Sequence, residues 1–239
     1  MTSTTQTTGG DKVVSRKSEE TRSRILEAAL ALFRQRGFGS TTMRDIAKEA
    51  GVALGAAYYY FASKDALVTA FYERSQQELA PLAEEALAKT KTLEERLRAV
   101  IKVKFEYFAP NRSLMAALSA HIDPQNPLSP FSPDTRVLRD QDIALYARTL
   151  EGSKTSVSKD LKEHLPRLLW LYQMGLFLFW VYDRSPKQKK TMLLLDKSVA
   201  IVATLVKASS FALLRPVRKI AVDLLETICQ DEEELEVAT

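Results

Sequence analysis

The apolar segments of this chain are longer than a typical β-strand and repeat with the period of a helix. Ile25, Ala29, Leu32 and Phe33 illustrate the pattern, because their spacing puts them on one face of a helix. Glycine is sparse, with eight in the chain, and 46% of the residues are hydrophobic, which is enough to bury a sizeable core. The sequence therefore predicts an all-α fold.

Two short helices are predicted to follow a longer first one. We expect the first helix to begin near Ser18 and to end at Gly37, since glycine readily adopts the left-handed conformation that closes a helix. Thr42 and the aspartate three residues later match a capping box, which starts a second helix that ends at Gly51. A third helix is predicted over residues 54–61. Two short helices joined by a tight glycine turn, within a three-helix unit, indicate a helix-turn-helix domain.

A larger helical bundle is predicted beyond that domain. The proline-rich residues 123–133 cannot be helical throughout, and we expect an ordered loop there. Helical periodicity is predicted over 63–88 with a break allowed at Pro81, and over 93–109, 112–122, 133–150, 158–183, 187–213 and a last helix from Pro216. The predicted organisation is a disordered basic leader (1–17), the helix-turn-helix domain (18–64), a second helical domain (65–230) and an acidic tail (231–239).

The charge distribution favours a nucleic-acid partner at the N-terminus. Five basic residues lie between positions 12 and 24 against two acidic ones, and a basic N-terminal region suits a surface that binds phosphates. A solvated charged face is the alternative. The single cysteine, Cys229, forms no disulfide within one chain, and the first ten residues lack the features of a signal peptide, so we expect a cytoplasmic protein.

No pattern of an enzyme is found. The glycines lack the spacing of a phosphate-binding loop. His121, His164 and Cys229 give no recognisable zinc site, and the thiolate of Cys229 is disfavoured beside an acidic tail. We therefore expect no catalytic activity, no metal and no cofactor.

Residues 25–67 resemble the TetR/AcrR family of transcriptional regulators. Each matching element is common alone, but their order and spacing together are specific. The matching segments are ILEAALALF (25–33), GF (37–38), TT (41–42), IA (46–47), AGV (50–52), Gly55, YYYF (58–61) and SKDAL (63–67).

The resemblance implies that the start of the third helix enters the major groove of duplex DNA, where base edges are read. Gly55 permits close approach of the backbone. Tyr58 and Tyr59 are expected to contact phosphates through their hydroxyls, and Lys64 through its charge. Thr42 and Arg44 are expected to anchor the start of the second helix to the same strand; the full set of expected DNA contacts is Thr42, Arg44, Ala53, Leu54, Gly55, Tyr58, Tyr59 and Lys64. The alternative is that the tyrosines only pack the small domain, which is our expectation for Tyr60 and Phe61.

The sequence departs from the common family pattern at Ala53 and Leu54. A serine followed by a basic or polar residue often stands there. Ala53 cannot accept a capping hydrogen bond, and Leu54 cannot donate to a base or a phosphate. Leu54 can still contact a thymine methyl, so base selection here is expected to be partly apolar.

The helices predicted over 158–183 and 187–213 are apolar nearly all round, so they must be covered on all sides. A membrane span is disfavoured, because the first run is short, holds Arg167 and Gln173, and lies between charged flanks. The resemblance implies that the two helices pair with their copies in a four-helix dimer interface. A homodimer also lets two recognition helices reach successive major grooves.

The resemblance further implies a small-molecule pocket in the second domain, which is then a regulatory and dimerisation domain. Few charges are available there to satisfy a buried ionic ligand, so an apolar or amphipathic effector is expected, which releases a repressor from its operator. The alternatives are that the lining residues are ordinary core, and that the protein binds DNA without a ligand, under control of a protein partner or as an architectural protein. The candidate lining residues are Phe105, Phe108, Met115, His121, Tyr146, Trp170, Met174 and Phe177.

Overall fold

The computed structural model describes residues 10–120 and 123–211, and then 213, 215, 216, 218–220, 222 and 223, with side chains described from residue 16. The described residues contain helices, turns and loops but no strand, which confirms the all-α fold. The α-helices are α1 (Gly10–Arg36), α2 (Met43–Glu49), α3 (Leu54–Tyr60), α4 (Lys64–Ala88), α5 (Leu93–Phe108), α6 (Arg112–Leu118), α7 (Arg136–Glu151), α8 (Lys159–Lys162), α9 (Leu165–Tyr182) and α10 (Lys189–Ala208). None of these described helices is both long and apolar enough to cross a membrane.

The chain divides into two compact units, residues 1–72 and 73–239, and the boundary falls within α4. In the first unit α2 packs against both α1 and α3. The stripe predicted on α1 is confirmed, since Ile25, Ala29, Leu32 and Phe33 are all buried. Ile46 of α2 is also buried. Because α2 packs against both α1 and α3, the three helices share one small core.

Helix α1 starts earlier than the sequence pattern predicted. It begins at Gly10 rather than near Ser18, so residues 10–17, expected to be a disordered leader, continue the helix. The segment contains no proline, and nothing else in it interrupts the helical backbone upstream of Ser18. At the other end the prediction is confirmed: Gly37 follows the helix with φ +85° and donates its N–H to the Phe33 carbonyl at 3.0 Å.

In the second unit, α9 packs against α6, α7 and α10, and α5 packs against α7 and α10. Several predicted helix bounds differ from the structure. The helix expected over 158–183 is divided into α8 and α9, because Pro166 occupies the first turn of a new helix. Helix α6 ends at Leu118 rather than at residue 122, and α10 ends at Ala208 rather than at residue 213. Helix α4 runs through Pro81, where the sequence allowed a break.

Several predictions lie partly or wholly outside the described residues. These are the first nine residues of the leader, His121, Cys229 and the acidic tail. The last helix predicted from Pro216 is helical at the described positions 215, 216, 218–220, 222 and 223.

The proline-rich loop is ordered, as predicted, by a repeat of three residues. Asp123, Asn126, Ser129 and Ser132 each precede a proline, and each side-chain oxygen accepts the N–H two residues on at 2.9–3.2 Å. Each of the last three, and then Thr135, donates its own backbone N–H to the carbonyl three residues back. The side chains therefore replace the hydrogen bonds that a helix cannot supply around proline.

The Arg96 side chain closes the ends of two helices. Its guanidinium donates to the Leu87 and Thr90 carbonyls at the end of α4, and to the Arg148 and Thr149 carbonyls at the end of α7, at 2.8–3.3 Å. The Leu87 and Arg148 carbonyls also accept from the backbone N–H groups of Thr90 and Gly152. The Thr90 and Thr149 carbonyls have no other donor among the described residues, so the guanidinium satisfies them. A Cβ at Gly152 would overlap the guanidinium, which explains the glycine there.

The Asp183 carboxylate joins α9 to α10. It accepts hydrogen bonds from the Ser185 N–H at 2.8 Å, from the Thr191 N–H at 2.9 Å and from the Thr191 hydroxyl at 2.7 Å. Burial raises the pKa of this carboxyl, but the hydrogen bonds from Thr191 and Ser185 outweigh burial and hold the pKa well below the ordinary aspartate value. The structure therefore favours the ionised form.

This lowered pKa predicts a loss of stability in acid. A carboxyl with a lowered folded-state pKa stabilises fully above its unfolded-state value of about 3.9, and the contribution disappears as the pH falls through the folded-state pKa. We expect Asp183→Asn to destabilise the protein at pH 7, with a difference from wild type that shrinks below about pH 4. Urea unfolding across this pH range measures the effect. The exposed Asp134→Asn is the control, and an Asp183→Asn deficit that is constant with pH contradicts the assignment.

Candidate nucleic-acid interface

Helix α2 begins with the capping box that the sequence predicted. The Thr42 hydroxyl accepts from the Asp45 N–H at 3.2 Å, and the Asp45 carboxylate accepts from the Thr42 N–H at 3.0 Å and the Thr42 hydroxyl at 2.6 Å. These hydrogen bonds from Thr42 lower the pKa of Asp45. The hydroxyl proton of Thr42 is therefore already donated, so a phosphate would have to accept from Thr42 in place of Asp45. Arg44 is exposed beside it.

The turn between α2 and α3 is fixed by Gly51, which has φ +64°. The Val52 N–H then donates to the Ala47 carbonyl at 2.9 Å, so the chain turns within a few residues. Ala53 is the N-cap of α3 and supplies no side-chain hydrogen bond, as predicted. Helix α3 thus begins with backbone N–H groups that its own cap does not satisfy.

This missing cap leads to a stability prediction. Ala53→Ser is expected to raise the free energy of unfolding by about 1 kcal/mol, because a serine oxygen accepts from an N–H in the first turn. Urea unfolding measures the gain, with Ala53→Gly as the control that changes the backbone without adding an oxygen. Equal stability of the serine and alanine proteins would mean that α3 is capped in another way.

Helix α3 exposes the side chains that the resemblance assigns to DNA. Tyr59 is 82% exposed and Tyr58 is 49% exposed. Tyr60 is half-buried and accepts a hydrogen bond from the Ser18 hydroxyl at 3.3 Å, while Phe61 is buried with the Arg22 guanidinium 4.9 Å from its ring. The prediction that Tyr60 and Phe61 pack within the first unit is therefore confirmed.

Gly55 has no structural reason to be glycine. It lies in the first turn of α3, its φ is not in the left-handed region, and a Cβ there would meet nothing within 4 Å. Glycine costs up to about 1 kcal/mol relative to alanine in a helix. Leu54, beside it, is half-buried and Ala53 is exposed, so the start of α3 presents a small apolar surface.

Lys64 has a structural role that the sequence did not reveal. Its ammonium donates to the Phe38 carbonyl at 2.7 Å and lies 4.5 Å from the centre of the Phe38 ring. It therefore holds the loop between α1 and α2 against the start of α4. An ammonium has three N–H donors, so this bond leaves two for another partner.

In the second unit, the candidate ligand residues separate into two groups. Phe105, Phe108 and Phe177 form an aromatic cluster with Trp180, with ring centres 5.2–6.3 Å apart. Trp170 instead meets Phe131 of the proline-rich loop at 5.5 Å. Met115 and Tyr146 are buried, and Met174 is half-buried.

A buried polar cluster, formed by Lys104, Asp142, Tyr146 and Gln173, lies between α5, α7 and α9. The Lys104 ammonium is 2.8 Å from both the Asp142 carboxylate and the Gln173 amide oxygen. The Tyr146 hydroxyl donates to the same amide oxygen at 3.2 Å, and burial, together with the charge of Asp142, raises the pKa of this phenol well above its ordinary value. A cation and an anion are thus paired inside a region for which the sequence predicted few charges, and the pair leaves neither charge uncompensated.

The sequence contained a signal for this cluster. Lys104 lies on the apolar stripe of α5, four residues after Val100 and four before Phe108. Side chains on this stripe face the core, so a lysine there is expected to be buried and to need a partner. Gln173 is likewise the one amide in the apolar run of α9. Asp142 has no comparable signal, because α7 has a weak apolar face.

Two protein-family models match the chain. One, described as bacterial regulatory proteins of the tetR family, matches residues 25–71, and one described as a tetracyclin repressor-like C-terminal domain matches residues 96–226. The second match covers the greater part of the chain and includes the polar and aromatic clusters.

Curated relatives match part of the chain. The HTH-type transcriptional regulator BetI of Brucella anthropi is 34% identical over 134 residues, which are 55% of this chain and 64% of that protein. The HTH-type transcriptional regulator AcrR of Shigella flexneri is 42% identical over 73 residues, 30% of this chain and 34% of that protein. The matched regions thus span less than two thirds of these relatives.

Solved structures share the fold over most of the chain. A TetR-family regulator from Syntrophomonas wolfei superimposes with a TM-score of 0.61 at 22% identity, covering 78% of this chain and 96% of that one. A TetR regulator from Haloarcula marismortui gives a TM-score of 0.61 at 20% identity, covering 79% and 98%.

Proposed function

Since the chain belongs to the TetR family of transcriptional regulators, we propose that it is a homodimeric, sequence-specific DNA-binding repressor that a small molecule releases from its operator. The first unit binds duplex DNA, with α3 as the recognition helix. The second unit holds the dimer interface and binds the effector. A ligand that prefers the state with the wrong spacing of recognition helices weakens DNA binding by its differential affinity.

The surface of α3 is the observation that carries this proposal. Two adjacent tyrosines lie exposed on a helix whose other large side chains, Leu54 and Tyr60, are half-buried. A Cβ at Gly55 would meet no protein atom within 4 Å, so the space beside this glycine is open. Both features suit binding to duplex DNA. Tyrosine hydroxyls can donate hydrogen bonds to phosphates, and a glycine without a side chain lets the helix backbone approach the groove closely. Tyr58, Tyr59, Gly55, Arg44 and Lys64 are therefore the DNA contacts we propose, together with the flanking Thr42, Ala53 and Leu54.

The dimer is supported by an exposed apolar surface on α9 and α10. Its side chains recur at helical spacing along both helices, and each is more than a third exposed in the single chain. Large contiguous apolar patches on a soluble chain mark protein interfaces. The members of this α9–α10 surface are Leu171, Leu178, Phe179, Tyr182, Leu193, Leu194, Ile201 and Leu205.

The aromatic cluster supports the effector site. Phe108 and Phe177 are half-buried, so one side of the cluster remains accessible, while Phe105 and Trp180 form its buried base. Sites for small organic ligands are mostly apolar and aromatic with a few placed polar groups. We propose that the effector is apolar or amphipathic and binds beside these rings.

Selection of bound fragments from a random pool of duplex DNA tests the DNA-binding function. A homodimeric regulator is expected to enrich one palindrome with half-sites about one helical turn apart. Recovery of DNA without a shared sequence, with an affinity that depends steeply on salt, would favour the architectural alternative. No recovery at any salt concentration would contradict the proposal.

A further inference from the structure

The Gln173 amide is held in one orientation by its neighbours. Lys104 and Tyr146 both donate to its oxygen, and Lys104 has no acceptor to offer the amide nitrogen. The oxygen therefore faces these two donors and the NH₂ group faces away. Because α9 is otherwise apolar here, this NH₂ group is fixed inside a hydrophobic region.

The amide nitrogen is almost without a partner. Among the described residues its one hydrogen-bond contact is the Met174 sulfur at 3.8 Å, and a thioether is a weak acceptor. The residue is 4% exposed, so bulk water does not replace the missing bonds. Buried donors are normally satisfied, and one that is not calls for a partner.

Met174 occupies the place that a better acceptor would take. Its side chain is half-buried and unbranched, so it can move aside without disturbing the packed core. One helical turn further along α9 lies Phe177, whose ring belongs to the aromatic cluster with Phe105 and Trp180. A displaced Met174 thus exposes a pair of N–H donors next to aromatic rings.

The charge of the polar cluster decides the kind of acceptor. Lys104 is already neutralised by Asp142 at 2.8 Å, and the Asp142 carboxylate also accepts from the Gln76 amide at 3.1 Å. A second carboxylate would bring an uncompensated negative charge into the site, which is costly. A cationic ligand needs hydrogen-bond acceptors, but the Gln173 NH₂ group offers only donors. An uncharged carbonyl accepts from Gln173 and leaves the ion pair intact.

We propose that the effector is an uncharged aromatic or apolar carbonyl compound, whose carbonyl oxygen displaces the Met174 sulfur and accepts a hydrogen bond from Gln173 Nε2. This inference rests on the proposed ligand-controlled function, which it makes more specific. Lys104 and Tyr146 are positioning residues that fix the amide, and the aromatic cluster covers the hydrocarbon part of the ligand.

Four naphthalene derivatives of similar size test the inference without DNA. Acetylnaphthalene carries the carbonyl, ethylnaphthalene lacks it, naphthoate is anionic and aminomethylnaphthalene is cationic. Binding is followed by the fluorescence of Trp170 and Trp180, the two tryptophans of the chain. We expect acetylnaphthalene to bind at least about tenfold more tightly than each of the others, the gain of about one good hydrogen bond.

Two variants of the 239-residue chain test whether the preference for the carbonyl probe comes from the Gln173 amide. Gln173→Met keeps the volume of the side chain, leaves Lys104 paired with Asp142 and removes the N–H donors without adding a charge, so acetylnaphthalene should bind no more tightly than ethylnaphthalene. Met174→Ala removes the competing group and should tighten acetylnaphthalene binding. Tyr172→Phe, which removes a hydroxyl bonded to Ser198 at 2.6 Å on another side of α9, is the control and should change neither affinity.

The outcomes distinguish this inference from the function on which it rests. Equal binding of all four probes, tightest binding of naphthoate or aminomethylnaphthalene, no binding, or a carbonyl preference that survives Gln173→Met overturns the inference. Each result leaves specific DNA binding by the same protein untouched. If acetylnaphthalene binds as expected but does not release selected DNA, the site stands and ligand-controlled repression is contradicted.

Discussion

Arg96→Met is expected to lower the free energy of unfolding by about 3 kcal/mol. The guanidinium donates to four carbonyls at the ends of α4 and α7. Among the described residues, the Thr90 and Thr149 carbonyls accept from no other group, and the bond to Thr149 is buried. A buried acceptor left without a donor costs about 1–3 kcal/mol, and methionine fills most of the arginine volume while donating nothing. The loss therefore comes from the unsatisfied carbonyls rather than from a cavity.

Urea unfolding at neutral pH measures this difference, with Arg98→Met as the matched control on the same helix. Arg98 pairs with Glu94 at 2.8 Å and Asp196 at 2.9 Å, but its side chain is about one third exposed. Exposed ion pairs contribute about 0–1 kcal/mol, so we expect a small loss there. Equal losses in the two variants would show that Arg96 does not stabilise the helix ends.

Ile201→Glu is expected to convert the proposed dimer into a monomer. Ile201 is 60% exposed in the single chain and belongs to the α9–α10 surface. The symmetric interface contains the substitution twice, and each copy loses about 1.5–3 kcal/mol of apolar burial before the cost of burying a carboxylate is added. Dimer affinity should therefore fall by more than about a thousandfold.

Sedimentation velocity over a concentration series measures the change, and DNA binding should weaken with it, because one subunit reaches one half-site. Val137→Glu is the control: Val137 is 67% exposed but lies on α7, outside the α9–α10 surface. We expect that variant to remain dimeric. A monomeric wild type, or an Ile201→Glu protein that dimerises normally, would contradict the proposed interface.

The helices that local signals define were predictable from the sequence. Thr42 starts α2 through its own side chain, and Gly37 and Gly51 end helices because their φ angles are positive. The start of α1 was not predictable, because residues 10–17 contain no signal that either stops or requires a helix. The separation of α8 from α9 had a signal in Pro166, which the apolar run around it concealed.

The candidate site in the second unit depended on contacts between distant residues. Lys104 and Asp142 are brought together by the packing of α5 against α7, and no pattern along α7 marks the aspartate. Gln173 completes the cluster from α9. In the first unit the candidate site could be predicted from neighbouring residues, since the DNA contacts we propose on α3 lie within a few residues of one another and share one exposed surface.

Fluorescence anisotropy on the DNA flanking the chain's own gene tests the central proposal most directly. Wild type should bind one fragment about a thousandfold more tightly than random DNA at near-physiological salt. Gly55→Leu should lower that affinity by about a hundredfold, or about 3 kcal/mol, without destabilising the fold, because leucine is a better helix former than glycine. Gly39→Leu is the matched control, since a Cβ there also meets nothing. Equal binding to both DNAs, or equal affinities of Gly55→Leu and wild type, would contradict recognition through α3.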